Sequence, residues 1–200
     1  MSDIAAYIKT HLILAPSKAV PEIMLYQAHP KSGLTGFLGD DAPPPYWAYG
    51  WAGGNVLARH ILHSDCISRH SRVYDVGTGS SIVAIAAAMI GAEVEAIDVD
   101  PNAIAAAKLN AEANGVSIKF HQGDGLSTVP DADLVCMGDL FYDEALAIRS
   151  LAFARRCKAV LIGDPGRKSL PRNELRALAH YDVPDFGQSA PARAAVWTLV

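Results

Sequence analysis

The chain has 200 residues, of which 50% are hydrophobic and 19% charged, and its net charge is −4. That length and that apolar share suit one domain, or one domain with an extension, around a sizeable core. The lack of a basic run argues against nucleic acid as a main partner, and no apolar run approaches the ~20 residues that span a membrane.

The opening residues, Met1–Tyr7, have no basic region followed by a long apolar one, so no secretory signal is read there. Ser2–His11 suggests a short helix. Leu12-Ile13-Leu14 is a brief apolar run ended by Pro16, and Val20–Tyr26 is a further short element. Lys31–Pro45 holds three glycines and three consecutive prolines and is expected to be irregular. By its residues alone, the segment 1–45 is either a cap on one end of a sheet or a lid over an acceptor site. Tyr46–Leu62 reads as a helix leading into a domain of residues 46–200, because Trp47, Trp51, Leu57 and Ile61 recur at roughly helical spacing. Gly53-Gly54 inside a helix costs about 1 kcal/mol per residue relative to alanine. That cost implies a ligand or a strand close by. Asn55 is then a candidate hydrogen-bonding partner for a ligand, or a plain surface residue.

After a loop at His63–His70, Arg72–Val76 suits a buried strand around Asp75. The chain breaks at Gly77-Thr78-Gly79 and resumes as an Ala-rich helix over Ile82–Ile90. Strand, glycine turn and helix together present backbone N–H groups at a helix N-terminus. A dinucleotide fingerprint would place a third glycine at position 82, where Ile82 stands. An S-adenosylmethionine site has no pyrophosphate to cradle and can do without that glycine. Asp75 fits a ligand carrying a positive amine and a sulfonium. Glu93–Asp98 reads as a second strand ending in an acid, the usual place for a carboxylate that accepts ribose hydroxyls. Pro101 opens the next helix, which runs to Asn114, and Gly115 closes it. Val116–His121 is a third strand, followed by Gly123-Asp124-Gly125, where an acid could meet an adenine amino group. Leu134–Met137 is a fourth strand, followed by Gly138-Asp139-Leu140-Phe141-Tyr142-Asp143. Asp143 is placed to cap the helix Glu144–Arg156, whose Arg149, Arg155 and Arg156 are expected on its wet side. Ala159–Gly163 is a fifth strand, Pro171–His180 a helix, and Tyr181–Phe186 with Ala192–Leu199 a closing antiparallel hairpin. Strands alternating with helices predict an α/β fold, Rossmann-like and doubly wound, with a mostly parallel seven-stranded sheet. The three cysteines, Cys66, Cys136 and Cys157, and the seven histidines make no ligand spacing, so no metal site is expected. The cysteine pattern fits a reducing compartment, and a cytoplasmic protein is expected.

The run Asp75-Val-Gly-Thr-Gly-Ser80, then Ala96-Ile-Asp-Val-Asp-Pro101, then Asn110-Ala-Glu-Ala-Asn-Gly-Val116, resembles the class I (seven-β-strand) methyltransferases that use S-adenosylmethionine. Three further pieces narrow it: Pro44–Gly54, Gly138–Asp143 and Gly163-Asp164-Pro165-Gly166-Arg167. Together they look like the lysine methyltransferases of the electron transfer flavoprotein β subunit, over about Pro21 to Trp197. One departure is Ser81, where that family usually has glycine.

The resemblance implies a protein-lysine N-methyltransferase with S-adenosylmethionine as cofactor and S-adenosylhomocysteine as product. It implies the electron transfer flavoprotein β subunit as protein partner, no nucleic acid or membrane partner, and a monomer. It makes residues 1–45 a lid. It implies cofactor contacts at Trp47, Trp51, Asp75, Gly77, Thr78, Gly79, Asp98, Val99, Asp124, Gly125 and Asp139. It makes Asp139, Phe141 and Tyr142 catalytic: the acid to guide the lysine and hold its N–H groups, the aromatics to wall its stem and face its charge; by their residue type alone, the two aromatics are also read as packing under the lid. Arg167 is either part of a structured turn or a contact to an acidic partner surface. Three rival readings are a ribosomal protein L11-type methyltransferase, a nicotinamide-dependent oxidoreductase, and a non-catalytic cofactor-binding module.

Overall fold

The computed structural model describes residues 3–200; of the helix expected from Ser2, the first residue lies outside that span. The chain runs α1 (Ile4–His11), β1 (Ile13–Pro16), β2 (Met24–Gln27), α2 (Leu34–Leu38), a 3-10 turn (Tyr46–Ala48), α3 (Ala52–His63), β3 (Arg72–Val76) and α4 (Ile82–Met89). It continues through β4 (Glu93–Asp98), α5 (Pro101–Ala113), β5 (Lys119–Gln122), β6 (Leu134–Gly138), α6 (Glu144–Ala154), β7 (Val160–Asp164), a 3-10 turn (Arg172–Glu174), β8 (Leu175–Val183) and β9 (Ala192–Leu199). Seven strands form one sheet in the order β5-β4-β3-β6-β7-β9-β8. The first five are parallel, and β9 and β8 are antiparallel to their neighbours. The order reverses between β3 and β6, so the carboxyl ends of β3, β4 and β6 frame the crevice where ligands bind in doubly wound sheets.

The sheet is packed on both faces. Under α3 and α4 lie Val56, Leu57, Ile61, Ile82, Val83, Ile85, Val73, Val94, Ala96 and Leu161. Under α6 lie Met137, Phe141, Phe153, Val160 and Ile162. The N-terminal segment closes a third cluster, with Ile8, Leu12, Leu34 and Trp47 against Ala103, Ala106 and Leu109 of α5. Asn110 of α5 and Asn114, the residue that caps its C-terminus, fasten the β2 edge: their Oδ1 atoms accept from Tyr26 N and Met24 N at 2.8 Å each.

Four expectations change. The segment Pro171–His180 is not a helix; Leu175–Val183 is an edge strand. Leu, Arg and Ala favour a helix there by propensity, but Leu-Arg-Ala-Leu-Ala-His-Tyr-Asp-Val alternates in burial along its length and pairs with β9. The helix expected over Tyr46–Leu62 is broken at Tyr49-Gly50-Trp51, and only Ala52–His63 is α-helical. The third strand starts at Lys119, because Gly115 (φ 63°) ends α5 and the chain needs three residues to reach the sheet. The irregular stretch Lys31–Pro45 contains the short helix α2.

Ser81 stands in the left-handed region (φ 67°), is fully buried, and its hydroxyl has no partner. Left-handed backbone costs a non-glycine residue about 1–2 kcal/mol, and an unsatisfied buried hydroxyl adds about 1–3 kcal/mol. Glycine's larger unfolded-state entropy takes back about 0.5–1 kcal/mol. Ser81→Gly is therefore expected to stabilise by at least about 1 kcal/mol, which raises Tm by about 2–4 °C in a chain of this size. A thermal melt that moves down contradicts this.

Candidate active site

The glycine turn after β3 has Gly77 at φ 66° and Gly79 at φ 51°. Asp75 and Thr78 hold the turn from within. Thr78 Oγ1 donates to Asp75 Oδ2 at 2.6 Å, and the Thr78 N–H donates to the Ile97 carbonyl at 3.1 Å. Burial pushes the Asp75 carboxyl up to about 7, against the hydrogen bonds it accepts from Thr78 and the Ala84 N–H. Both side chains are buried. Asp75 and Thr78 thus build the loop, and neither side chain faces a ligand as expected.

Asp98 ends β4 and is 3% exposed. Its Oδ2 accepts from the Gly79 N–H at 2.9 Å, while Oδ1 accepts from the Tyr46 hydroxyl at 2.6 Å and the Asp100 N–H at 3.1 Å. Burial and the neighbouring Asp98 carboxylate both raise the Tyr46 hydroxyl far above its ordinary pKa, so it is a donor. The Tyr46 ring lies over Gly79; a Cβ built on that glycine would stand 3.8 Å from the ring. Val99, next to Asp98, is 63% exposed. The acid placed for ribose hydroxyls therefore already accepts a hydroxyl, and an aromatic ring already covers the glycine backbone. A nucleoside with vicinal hydroxyls fits this donor set if it takes the place of Tyr46.

Asp124 and Gly125 follow β5 at the carboxyl edge of the sheet, beside β4. Asp124 is paired with Arg149 of α6 and accepts from the Leu126 N–H at 3.0 Å. A Cβ on Gly125 would come within 2.6 Å of Ile97 and 2.9 Å of Val76, so this glycine serves packing.

The acceptor side is expected at the tip of β6. Asp139 sits at φ 55° and accepts four hydrogen bonds. Its Oδ2 takes Gly53 N–H (2.5 Å) and Gly54 N–H (3.2 Å), and its Oδ1 takes Arg167 Nε (3.0 Å) and Nη2 (2.7 Å). Asp185 of the β8–β9 loop accepts from the Ala52 N–H at 3.0 Å. The start of α3 has no side-chain cap of its own; these two distant carboxylates satisfy its first amides, as its dipole favours. Burial pushes the Asp139 carboxyl up to about 6, and Arg167 beside it pulls the other way. With its four contacts in place Asp139 has no free lone pair for a lysine N–H. Arg167 is turned into the protein and is not a free docking cation.

Phe141 is fully buried among Met137, Ala147 and Phe153, so it cannot wall an acceptor. Tyr142 is 66% exposed and available. Trp47 is 1% exposed and packs in the cluster against α5. Trp51 precedes α3, donates from Nε1 to the Tyr46 carbonyl (2.9 Å) and meets Phe186 edge-on. Asn55 donates to the Pro184 carbonyl at 2.9 Å and is structural. A cavity of 480 Å³ opens between the N-terminal segment and the β8–β9 loop, with Gln27, His29, Tyr49, Ser80 and Phe186 in its wall. Tyr46, Asp185 and Phe186 were not candidates from the sequence. Tyr46 lies inside the segment Pro44–Gly54 that carries the family resemblance, yet nothing in the chain order names its partner Asp98.

The family model described as ribosomal protein L11 methyltransferase (PrmA) matches residues 60–137. The electron transfer flavoprotein beta subunit lysine methyltransferase of Danio rerio is 41% identical over 72% of this chain, which spans 60% of that relative's length. The Rattus norvegicus protein of the same name is 35% identical over 96% of this chain and 82% of its own length. Among solved structures, magnesium protoporphyrin IX methyltransferase from Synechocystis PCC 6803, crystallised with bound S-adenosylmethionine, has a TM-score of 0.56 at 14% identity over 74% of this chain and 78% of that one. That likeness shows the fold, and the curated relatives carry the rest: the chain belongs to the electron transfer flavoprotein β-subunit lysine methyltransferase family, a branch of the class I methyltransferases that depend on S-adenosylmethionine.

Proposed function

We propose that the chain methylates lysine side chains of a folded protein, the electron transfer flavoprotein β subunit. The observation that carries this reading is the 35% identity to a relative of that name over 96% of the chain, a span that takes in the acceptor-side segments Asp139–Tyr142 and Asp164–Arg167. When bound, S-adenosylmethionine supplies a methyl on a positively charged sulfur, which an amine lone pair can accept as the carbon–sulfur bond breaks and its electrons stay on sulfur.

In this reading Asp98 takes the ribose hydroxyls in exchange for Tyr46. Gly77 and Gly79 let the cofactor approach the backbone, Val99 and Trp51 flank it, and Tyr142 offers an aromatic face to the incoming lysine. The protein's task is alignment and exclusion of water. A lysine has an ordinary pKa of about 10.4, so the amine must arrive without its proton.

Incubation with electron transfer flavoprotein and S-adenosylmethionine, followed by peptide mass spectrometry, tests the substrate. Methyl gain on lysines of the β subunit is expected; gain only on another acceptor removes the substrate claim. The exchange at Asp98 has its own test. A hydrogen bond to a charged acceptor is worth about 1.5–3 kcal/mol, and ribose must displace the one from Tyr46. Tyr46→Phe is expected to bind S-adenosylhomocysteine several-fold more tightly by isothermal titration, and weaker binding contradicts the exchange.

A further inference from the structure

Charged groups from three segments converge where α3 begins. Asp139 comes from the end of β6, Asp164 and Arg167 from the end of β7 and its following loop, and Asp185 from the β8–β9 loop. Arg167 Nη2 is 2.7 Å from Asp139 Oδ1 and 3.8 Å from Asp185 Oδ1. The Arg167 and Asp139 side chains are 25% and 14% exposed, so water screens the pair weakly. Asp164 sets the backbone of Arg167: its Oδ1 accepts from the Gly166 and Arg167 N–H groups at 2.6 and 2.7 Å. Arg172 steadies the same loop by donating to the Gly166 carbonyl at 3.0 Å. The guanidinium is thus held at one carboxylate by a turn built for it.

A bare carboxylate beside an amine-methylating site works against the reaction. It stabilises the ammonium form of the acceptor, and only the neutral amine has a lone pair to give. Three carboxylates face this region, Asp139, Asp164 and Asp185, against Arg167, the more distant Arg172 and the positive end of α3. We propose that Arg167 is a positioning residue that cancels the charge of Asp139, so that a lysine reaching the tip of β6 meets a neutral wall and releases its proton to water. The proposal rests on the lysine-methylation reading above. It explains why a residue at the acceptor strand's tip can be ionised without trapping the substrate as a cation. It also gives the Gly-Asp-Pro-Gly-Arg segment an internal task.

Wild type, Arg167→Met and Arg167→Lys are compared in two measurements. The first is thermal stability from about pH 5 to 9, without cofactor or substrate. Loss of the cation raises the folded-state pKa of Asp139 further above its unfolded value. The folded variant then keeps a proton that the unfolded chain has lost, so its stability goes on falling as pH rises past the point where wild type levels off, near 6. The Tm gap between wild type and Arg167→Met is expected to be small at the acid end and to widen above neutrality, with Arg167→Lys close to wild type. The second is kcat/KM against pH on a lysine acceptor. The acidic limb is expected about one unit higher in Arg167→Met and back in place in Arg167→Lys. A Tm gap independent of pH, or superimposable profiles that differ only in height, overturns the proposal. If wild type methylates no lysine, the substrate reading falls instead, and the melting series still decides the charge balance.

Discussion

Asp139→Ala is expected to destabilise the protein by about 3 kcal/mol, the scale for breaking a largely buried ion pair by removing one partner. Two losses combine. Arg167 keeps its charge with Asp139 gone, and the Gly53 and Gly54 N–H groups at the start of α3 lose their acceptor. Asparagine is no substitute, because its NH₂ end would face either the guanidinium or the helix amides, and both are donors. The double variant Asp139→Ala/Arg167→Met is expected to recover about 1 kcal/mol relative to the sum of the single changes, since the two residues are in contact. Urea unfolding near pH 8, where Asp139 is ionised, reads both quantities. A loss below about 1 kcal/mol for Asp139→Ala would show that the pair behaves like a surface salt bridge.

Gly53→Ala is expected to be worse still, although alanine is the better helix former by about 1 kcal/mol. A Cβ on Gly53 would overlap the Gly163 carbonyl oxygen and stand 2.6 Å from the Asp139 nitrogen. Both obstacles are backbone atoms at the ends of β7 and β6, and neither can rotate away. The contact is reciprocal, because a Cβ on Gly163 would overlap the Gly53 carbonyl and come within 2.6 Å of Leu57. Overpacking of this kind costs about 1–3 kcal/mol and more where nothing can yield, so the variant is expected to lose at least about 3 kcal/mol or to be insoluble. Gly54→Ala is the control. Its Cβ would meet only the Ile82 side chain, at 3.3 Å, and its melting temperature is expected to stay within a few degrees of wild type. Equal melting temperatures for the two alanine variants would remove the close helix–strand approach as the reason for the glycine pair.

These two glycines divide what local pattern can and cannot say. Their cost inside a helix was visible at once and implied something close by, but the choice between ligand and strand was not. The answer is strand: α3 starts directly on the tips of β6 and β7. Asp98 was legible because a strand followed by an acid is a local signal, and its position at the end of β4 follows from the chain. Its partner Tyr46 was not, since the two are 52 residues apart in sequence and meet through the docking of the N-terminal segment on α5. The acid of the β6 motif was visible too. That its oxygens are taken by α3 and by Arg167 depended on three segments meeting in space.

The amino-acid order by itself determined the parallel core. Apolar strands, the Gly77–Gly79 turn and the Pro101 and Gly115 helix ends are signals carried by neighbouring residues, and local sterics and burial suffice to produce them. Tertiary structure alone decided which polar groups stay available. Phe141 faces the core under α6, Trp47 packs on α5, Asp75 serves its own loop, and Leu175–Val183 becomes a strand because β9 offers it a ladder. The physical reason is the same in each case: a buried hydrogen-bonding group or a large apolar ring takes the partner that folding brings to it, and residues far apart in the chain supply that partner.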